Sequence, residues 1–357
     1  MGDAKTLPPL PAQPHDVPWP EDDWPRATAT DADHVTLGDL LDHAFADSDA
    51  DGGGPADMGP THAFLAIQRG RIVSEAYAEG YGPGQTYPSW SMAKSILQAL
   101  LGVAVREGKL GIFDPAAMPQ WPDGDPRADI TVDQLLRMAS GLAFDENNVD
   151  GDISDTIAML FGDGRGDTAA YAAAKPLLHP PDTVFNYSSG TSNILSFVLS
   201  RALGDGTPLA PDAFTAFMND ALFRPIGITS AIPKFDKAGT WIGSSYCFMT
   251  PGDFARFGLL YLRGGFWKDR QILPFGWVDY ARTQSAVPTG PDEWQGYGAH
   301  WWLGLGGPGS FSANGYGGQY VVLVPQKDLI LVRHGDSHEA QGERVKRWIG
   351  EVAACFA

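Results

Sequence analysis

Cysteine is scarce in this chain, and basic residues are outnumbered by acids. Cys247 and Cys355 are the only two thiols; they lie far apart in no C-x-x-C pair, so the fold does not depend on a disulfide framework. Lysine and arginine number 25 against 43 acids, a formal net charge of −18. Phosphate backbones and anionic lipid surfaces would be repelled, which argues against nucleic-acid and membrane partners. No uninterrupted apolar run reaches membrane-spanning length. The opening stretch MGDAKTLPPLPAQPHDVPWPEDDWP has no apolar core of a secretory signal. A cytoplasmic location is therefore expected, with a periplasmic or secreted one if a leader has been removed. Two motifs are also missing: the zinc-binding H-E-x-x-H and the nucleophile elbow G-x-S-x-G.

What is present is an ordinary globular composition, 43% hydrophobic and 19% charged over 357 residues, enough for at least one large core. Prolines make residues 1–33 an extended arm. TLGDLLDHAFAD (36–47) predicts a helix capped by Thr36, with Leu37, Leu40, Leu41 and Phe45 on one side. THAFLAIQ (61–68) and RIVSEAYA (71–78) predict a hairpin turning at Arg69-Gly70. Helical patterns then dominate, at 130–142, 153–161, 167–178, 191–204 and 212–223. Strand patterns return at 319–325 and 328–335, and an amphipathic helix closes the chain at 338–356. Strands at both ends around a helical middle predict an α/β domain from residues 34–110 and 230–357, with a helical domain from 111–229.

Three stretches imitate known motifs. GLGGPG (304–309) has the letters of a dinucleotide loop, but Pro308 interrupts it and no helix follows, so a glycine hairpin loop is expected. DSDADG (47–52) resembles half of a calcium loop, yet Met58 stands where the bidentate glutamate belongs. His334 and His338 are spaced like a metal pair but follow a strand end without a third ligand, and a solvated loop is the expectation.

YPSWSMAKSILQALLG (87–102) carries the chemistry. Ser91 and Lys94 are three residues apart and share one helix face. Residues 96–105 are apolar nearly all round, as in a helix buried within a domain. Desolvation there disfavours an ammonium, and a neutral amine beside a hydroxyl is a general base beside a nucleophile. The bland alternative is a lysine in a first turn that reaches out to water.

Two further stretches decide against the bland reading. TVFNYSSGTSNIL (183–195) places Tyr187 and Ser189 in a Y-x-S before a helix, and FSANGYGGQYVVLVP (311–325) is a glycine-rich approach to an apolar strand. With these the chain resembles the serine β-lactamase and penicillin-binding superfamily, whose motifs are S-x-x-K, Y-x-N and K-T-G. The likeness is closest to its class C-like branch of esterases and 6-aminohexanoate-dimer hydrolases, and ITVDQLLRMASGL, TPGDFARFGLLYLRGG and ILPFGWVDYA add to it. The resemblance implies an α+β fold of the β-lactamase/transpeptidase type, an antiparallel sheet flanked by terminal helices with an all-helical domain alongside. It also implies a serine hydrolase that needs neither metal nor cofactor. Ser91 would be the nucleophile, Lys94 its base and Tyr187 the proton relay to the leaving group. Ser189 replaces the usual asparagine, and Ala313-Asn314-Gly315 takes the K-T-G position. The backbone N–H of Tyr316 would join that of Ser91 as an oxyanion hole.

Ala313 cannot supply the charge of the family lysine, which points away from β-lactams and toward neutral esters or amides. Trp90, Trp121, Tyr297, Trp301, Trp302 and Tyr316 are candidates for an aromatic pocket. The expected partner is a small ester or amide. The alternatives are linear 6-aminohexanoate oligomers, whose amine end could face Asp145, Glu146 and Asp150, a D-alanyl peptide or β-lactam, and a non-enzymatic acylated sensor or binding protein.

Overall fold

A computed structural model describes residues 7–46, 54–147, 153–285 and 296–357; the 47–52 stretch and Asp150 lie outside them. The hairpin forms as the sequence predicts, from β1 (Thr61–Gln68) and β2 (Arg71–Tyr77). Arg69 and Gly70 both take positive φ, 51° and 74°, the signature of a turn whose twist matches two antiparallel strands. Two short ladders follow, β3 (Ile232–Pro233) with β4 (Cys247–Phe248) and β5 (Phe266–Trp267) with β6 (Arg270–Gln271). The chain then returns to the first hairpin with β7 (Trp302–Leu303), β8 (Phe311–Gly315), β9 (Gln319–Val324) and β10 (Leu329–Gly335). The resulting antiparallel sheet has the order β2-β1-β10-β9-β8-β7. Residues 304–309 are the loop between β7 and β8, with Gly304, Gly307 and Gly309 at positive φ.

Side chains alternate along each central strand, and both faces are covered. Leu65, Ile67, Val321, Leu323, Ile330 and Val332 enter one core. Phe64, Ala66, Val322, Val324, Leu329 and Leu331 enter the other. Burial on both faces is why these strands read as continuous apolar runs. The second core is closed by the terminal helices α1 (His34–Ala44) and α10 (Gly342–Ala354), through Leu37, Val345, Trp348 and Val352. The first core also takes in α2 (Ala93–Arg106), in which every residue from Ala93 to Ala104 is buried.

Between α2 and the third strand lie the α-helices α3 (Val132–Leu136), α4 (Asp155–Phe161), α5 (Thr168–Ala173), α6 (Ser189–Leu203) and α7 (Pro211–Met218). Four of the five are shorter than periodicity suggests, and α6 is not. α3 stops because Met138 and Gly141 turn left-handed, φ 57° and 77°, where the chain folds back to bond Pro176, Leu178 and His179. α1 is capped by Asp33, which accepts from the backbone N–H of Thr36 at 3.1 Å; Thr36 lies inside the helix.

Two further helices complete the body, α8 (Pro251–Leu262) against the sheet and α9 (Trp277–Arg282). α8 also anchors the N-terminal arm. Arg256, 7% exposed, donates from Nε to the Pro20 carbonyl at 2.7 Å and from Nη1 to Asp253 at 2.8 Å. Arg263, in the turn after α8, donates to Gln13 at 2.9 Å and to the Pro11 carbonyl at 3.3 Å. Trp24 is buried and donates to the Gly252 carbonyl at 3.0 Å.

His334 corrects an expectation. It is not in a solvated loop but in β10, fully buried, because pairing with β1 carries the strand through Gly335. Its ring stacks on Tyr87 at 4.4 Å and its Nδ1 lies 2.9 Å from Gln319 Oε1. His338 is exposed.

Candidate active site

Local structure at Ser91 is set by the residues before it. Ser89 is fully buried; its hydroxyl donates to the Ser245 carbonyl at 3.0 Å and accepts from the Cys247 N–H at 2.9 Å. Tyr87 exchanges backbone bonds with Met249. So the chain entering the turn is sewn to residues 245–249. Trp90 then adopts φ 43°, an unfavourable region for a tryptophan that the surrounding bonds must hold. A 3-10 turn over Trp90–Met92 runs straight into α2, and Ser91 sits half-exposed on it.

Lys94 is one turn further on and 1% exposed. Its Nζ lies 3.0 Å from three oxygens: Ser91 Oγ, Ser189 Oγ and the Ser244 carbonyl. The first is from its own helix, the second from the first turn of α6 and the third from the segment ahead of β4. Burial pushes the amine down to about 8, while the negative charge of Glu146 acts in the opposite sense. The Tyr187 ring is the fourth wall, its centroid 4.9 Å from Nζ. Tyr187 packs on Trp302 at 5.2 Å and Tyr297 at 5.9 Å.

β8 supplies the opposite side. On β8, β7 pairs with Phe311 and Ser312, so Ala313, Asn314 and Gly315 extend beyond it. Gly315 is pressed against the turn that carries Ser91. A Cβ there would meet the Ser89 carbonyl oxygen, with Gln319 Cβ at 3.0 Å and Trp90 Cβ at 3.3 Å. Tyr316 follows in the β8–β9 turn, 62% exposed, its ring 5.7 Å from Trp90. Ala313 is buried and uncharged; Asn314 Oδ1 is buried and accepts no hydrogen bond from the described residues.

The structure thus brings Ser91, Lys94, Ser189 and the Tyr187 ring to one point, with Gly315 packed beside it. Of the aromatic candidates, Trp90, Tyr297, Trp302 and Tyr316 surround that point. Trp121 and Trp301 do not: the first donates to the Ala173 carbonyl at 2.8 Å, the second packs on Tyr261 and Phe257 in the core.

Several participants carry no sequence signal. Ser244 contributes only its carbonyl, which any residue has. Glu146, expected to face a substrate amine, is engaged within the protein. It accepts from the Ser189 backbone N–H and from the Ser189 hydroxyl, each at 2.6 Å. His300 is buried next to α2, with Nδ1 donating to the Leu136 carbonyl at 2.8 Å and Nε2 accepting from Ser192 Oγ at 3.0 Å. Burial pushes its pKa down to about 3, so it is neutral and bridges α2, α3 and α6 as a structural group.

Comparison with known proteins bears on the family and the fold. The family model for Beta-lactamase matches residues 55–354. The chain is 24% identical over 309 residues to a 6-aminohexanoate-dimer hydrolase of Paenarthrobacter ureafaciens, covering 76% of this chain and 72% of that one. A Bacillus anthracis structure provisionally named as a 6-aminohexanoate-dimer hydrolase superposes with a TM-score of 0.73 at 19% identity, covering 98% of this chain and 90% of that one. A penicillin-binding protein homologue of Caulobacter crescentus gives a TM-score of 0.66 at 18% identity, over 90% of this chain and 97% of its own. No helix among the described residues is long and apolar enough to cross a membrane.

Proposed function

The chain belongs to the beta-lactamase family and carries its hydrolase fold, and we propose that it is a serine hydrolase that cleaves small neutral esters or amides through an acyl-enzyme. One observation carries the reading: a desolvated lysine amine 3.0 Å from the hydroxyl of a partly buried serine.

In this reading the proton of Ser91 passes to Lys94 Nζ as Oγ bonds to the substrate carbonyl carbon. The carbonyl electron pair moves to its oxygen, which the backbone N–H groups of Ser91 and Tyr316 receive. Collapse of this adduct expels the alcohol or amine, protonated from Lys94 by way of the Tyr187 hydroxyl. Water then repeats the attack on the acyl-enzyme, releasing the acid and returning the proton to Ser91. In this reading the substrate enters a groove between the α/β part (34–110 and 230–357) and the helical part (111–229). Aromatic rings at Trp90, Tyr297, Trp302 and Tyr316 and the uncharged Ala313 favour an acyl group without a carboxylate. Ser91→Ala should abolish hydrolysis of short-chain p-nitrophenyl esters; persistence of turnover refutes the assignment.

A second reading is hydrolysis of a linear 6-aminohexanoate amide, supported by the likeness to the Paenarthrobacter ureafaciens relative. Turnover of an amide dimer set against that of an ester separates the two. Nitrocefin turnover would favour a β-lactamase, and a stable adduct with an ester probe, without turnover, a sensor.

A further inference from the structure

Lys94 has three oxygen neighbours at equal distance, and their hydrogen-bonding capacities differ. The Ser244 carbonyl can only accept. Ser189 has a single hydroxyl proton, and Glu146 takes it through Oε1 at 2.6 Å. Toward Lys94 the Ser189 oxygen is therefore also an acceptor. A neutral amine has two hydrogens and one lone pair. Both hydrogens are claimed, by Ser244 and Ser189, and the lone pair is left facing the Ser91 hydroxyl. We propose that Glu146 is a positioning residue: by holding the Ser189 proton it aims the base at the nucleophile.

The carboxylate is itself well fixed. Its Oε2 accepts the Ser189 backbone N–H at 2.6 Å, one of the unpaired donors in the first turn of α6, whose dipole favours an anion there. Without that carboxylate the Ser189 hydroxyl is free to turn its proton onto the amine lone pair, which then competes with Ser91. The ionisable groups facing Lys94 are Glu146, Tyr187 and His300. Glu146 is the anion among them, so its loss disfavours the ammonium further. The inference rests on Ser91 and Lys94 acting as nucleophile and base.

The test uses the full chain and two readouts. Intact-mass kinetics with an alkyl fluorophosphonate report Ser91 nucleophilicity without a known substrate. NMR titration of lysine labelled with 13C at Cε reports Lys94 directly, assigned with Lys94→Met. Glu146→Gln should slow labelling on the alkaline plateau by roughly 10- to 100-fold, up to the lower end of what a whole general base contributes, since the base is misaimed and not removed. It should also move both midpoints to lower pH, and Glu146→Asp should recover most of the rate. Adding Glu146→Gln to Ser189→Ala should cost nothing more on that plateau, since both aim the amine through the one bond between the Ser189 hydroxyl and Glu146. A labelling rate equal to that of the parent in folded Glu146→Gln overturns the inference, as do additive losses in the double variant. If Glu146→Gln does not fold, Ser189→Ala carries the test, and unchanged labelling there is equally decisive. If the parent protein fails to label at Ser91, the nucleophile assignment falls. The Lys94 midpoint then decides separately: a downward move in Glu146→Gln upholds the coupling, and no move removes it.

Discussion

Gly315→Ala isolates the contact between the sheet and the turn that carries Ser91 with one methyl group. Gly315 does not have a positive φ, so alanine introduces no backbone strain and the effect is purely steric. The added Cβ would fall roughly an ångström inside the ordinary contact distance of about 3.5 Å to the Ser89 carbonyl oxygen. That oxygen is backbone, and Ser89 is pinned by bonds of 3.0 and 2.9 Å to residues 245 and 247, so β8 must retreat. A displacement of about 1 Å between reacting groups lowers rates on the order of 100-fold, whereas overpacking one methyl costs about 1–3 kcal/mol. The expected outcome is a folded protein with kcat/KM for a p-nitrophenyl ester reduced roughly 100-fold. Steady-state kinetics beside a urea melt would measure both. Activity equal to that of the parent, with the melt displaced as expected, would show that the end of β8 takes no part in the reaction.

The remaining expectations concern charge and anchoring. With the Lys94 amine near 8, about one molecule in ten has it neutral at pH 7. The logarithm of kcat/KM should then rise with unit slope to about pH 8 and level off; an inflection near 6.5 would point to histidine instead. The amine is protonated in the unfolded chain up to its ordinary 10.5, so the unfolded state binds more protons between about 8 and 10.5 and stability rises with pH across that window. The stability gained by Lys94→Met over the parent should therefore shrink by up to about 3 kcal/mol from pH 8 to 10.5 in denaturant titrations. Tyr187→Phe should lower kcat about 100-fold with little change in KM, and an unaltered kcat would remove the relay. Arg256→Ala strips a buried partner from Asp253 and should cost about 3 kcal/mol. Limited proteolysis should then cut the 7–26 segment first, and continued resistance would mean that other contacts hold the arm.

Local chemistry was legible in the sequence and distant chemistry was not. The Ser91–Lys94 pair follows from one helical turn, and Tyr187 with Ser189 from the start of the next buried helix. The hairpin at Arg69-Gly70 is written in two residues. Glu146 meets Ser189 across 43 residues, and an acidic loop beside a groove reads equally well as a solvated one. HGDSH reads as a loop around His334, whereas the strand that buries it is paired with residues far upstream. α3 ends where tertiary bonds pull Met138 and Gly141 into left-handed conformations, and no proline marks that place.

The sheet order has a consequence for synthesis. β1 leaves the ribosome early, but its partner β10 follows about 260 residues later, as the pairing of Gln68 with Leu329 requires. At 5–20 residues per second that is roughly 13–50 s, during which a strand as apolar as AFLAI has β2 beside one edge and nothing beside the other. Such an interval is an invitation to strand addition from a neighbouring nascent chain. Expression at lowered temperature or with a holdase chaperone should raise the yield of folded protein more than any change at the groove.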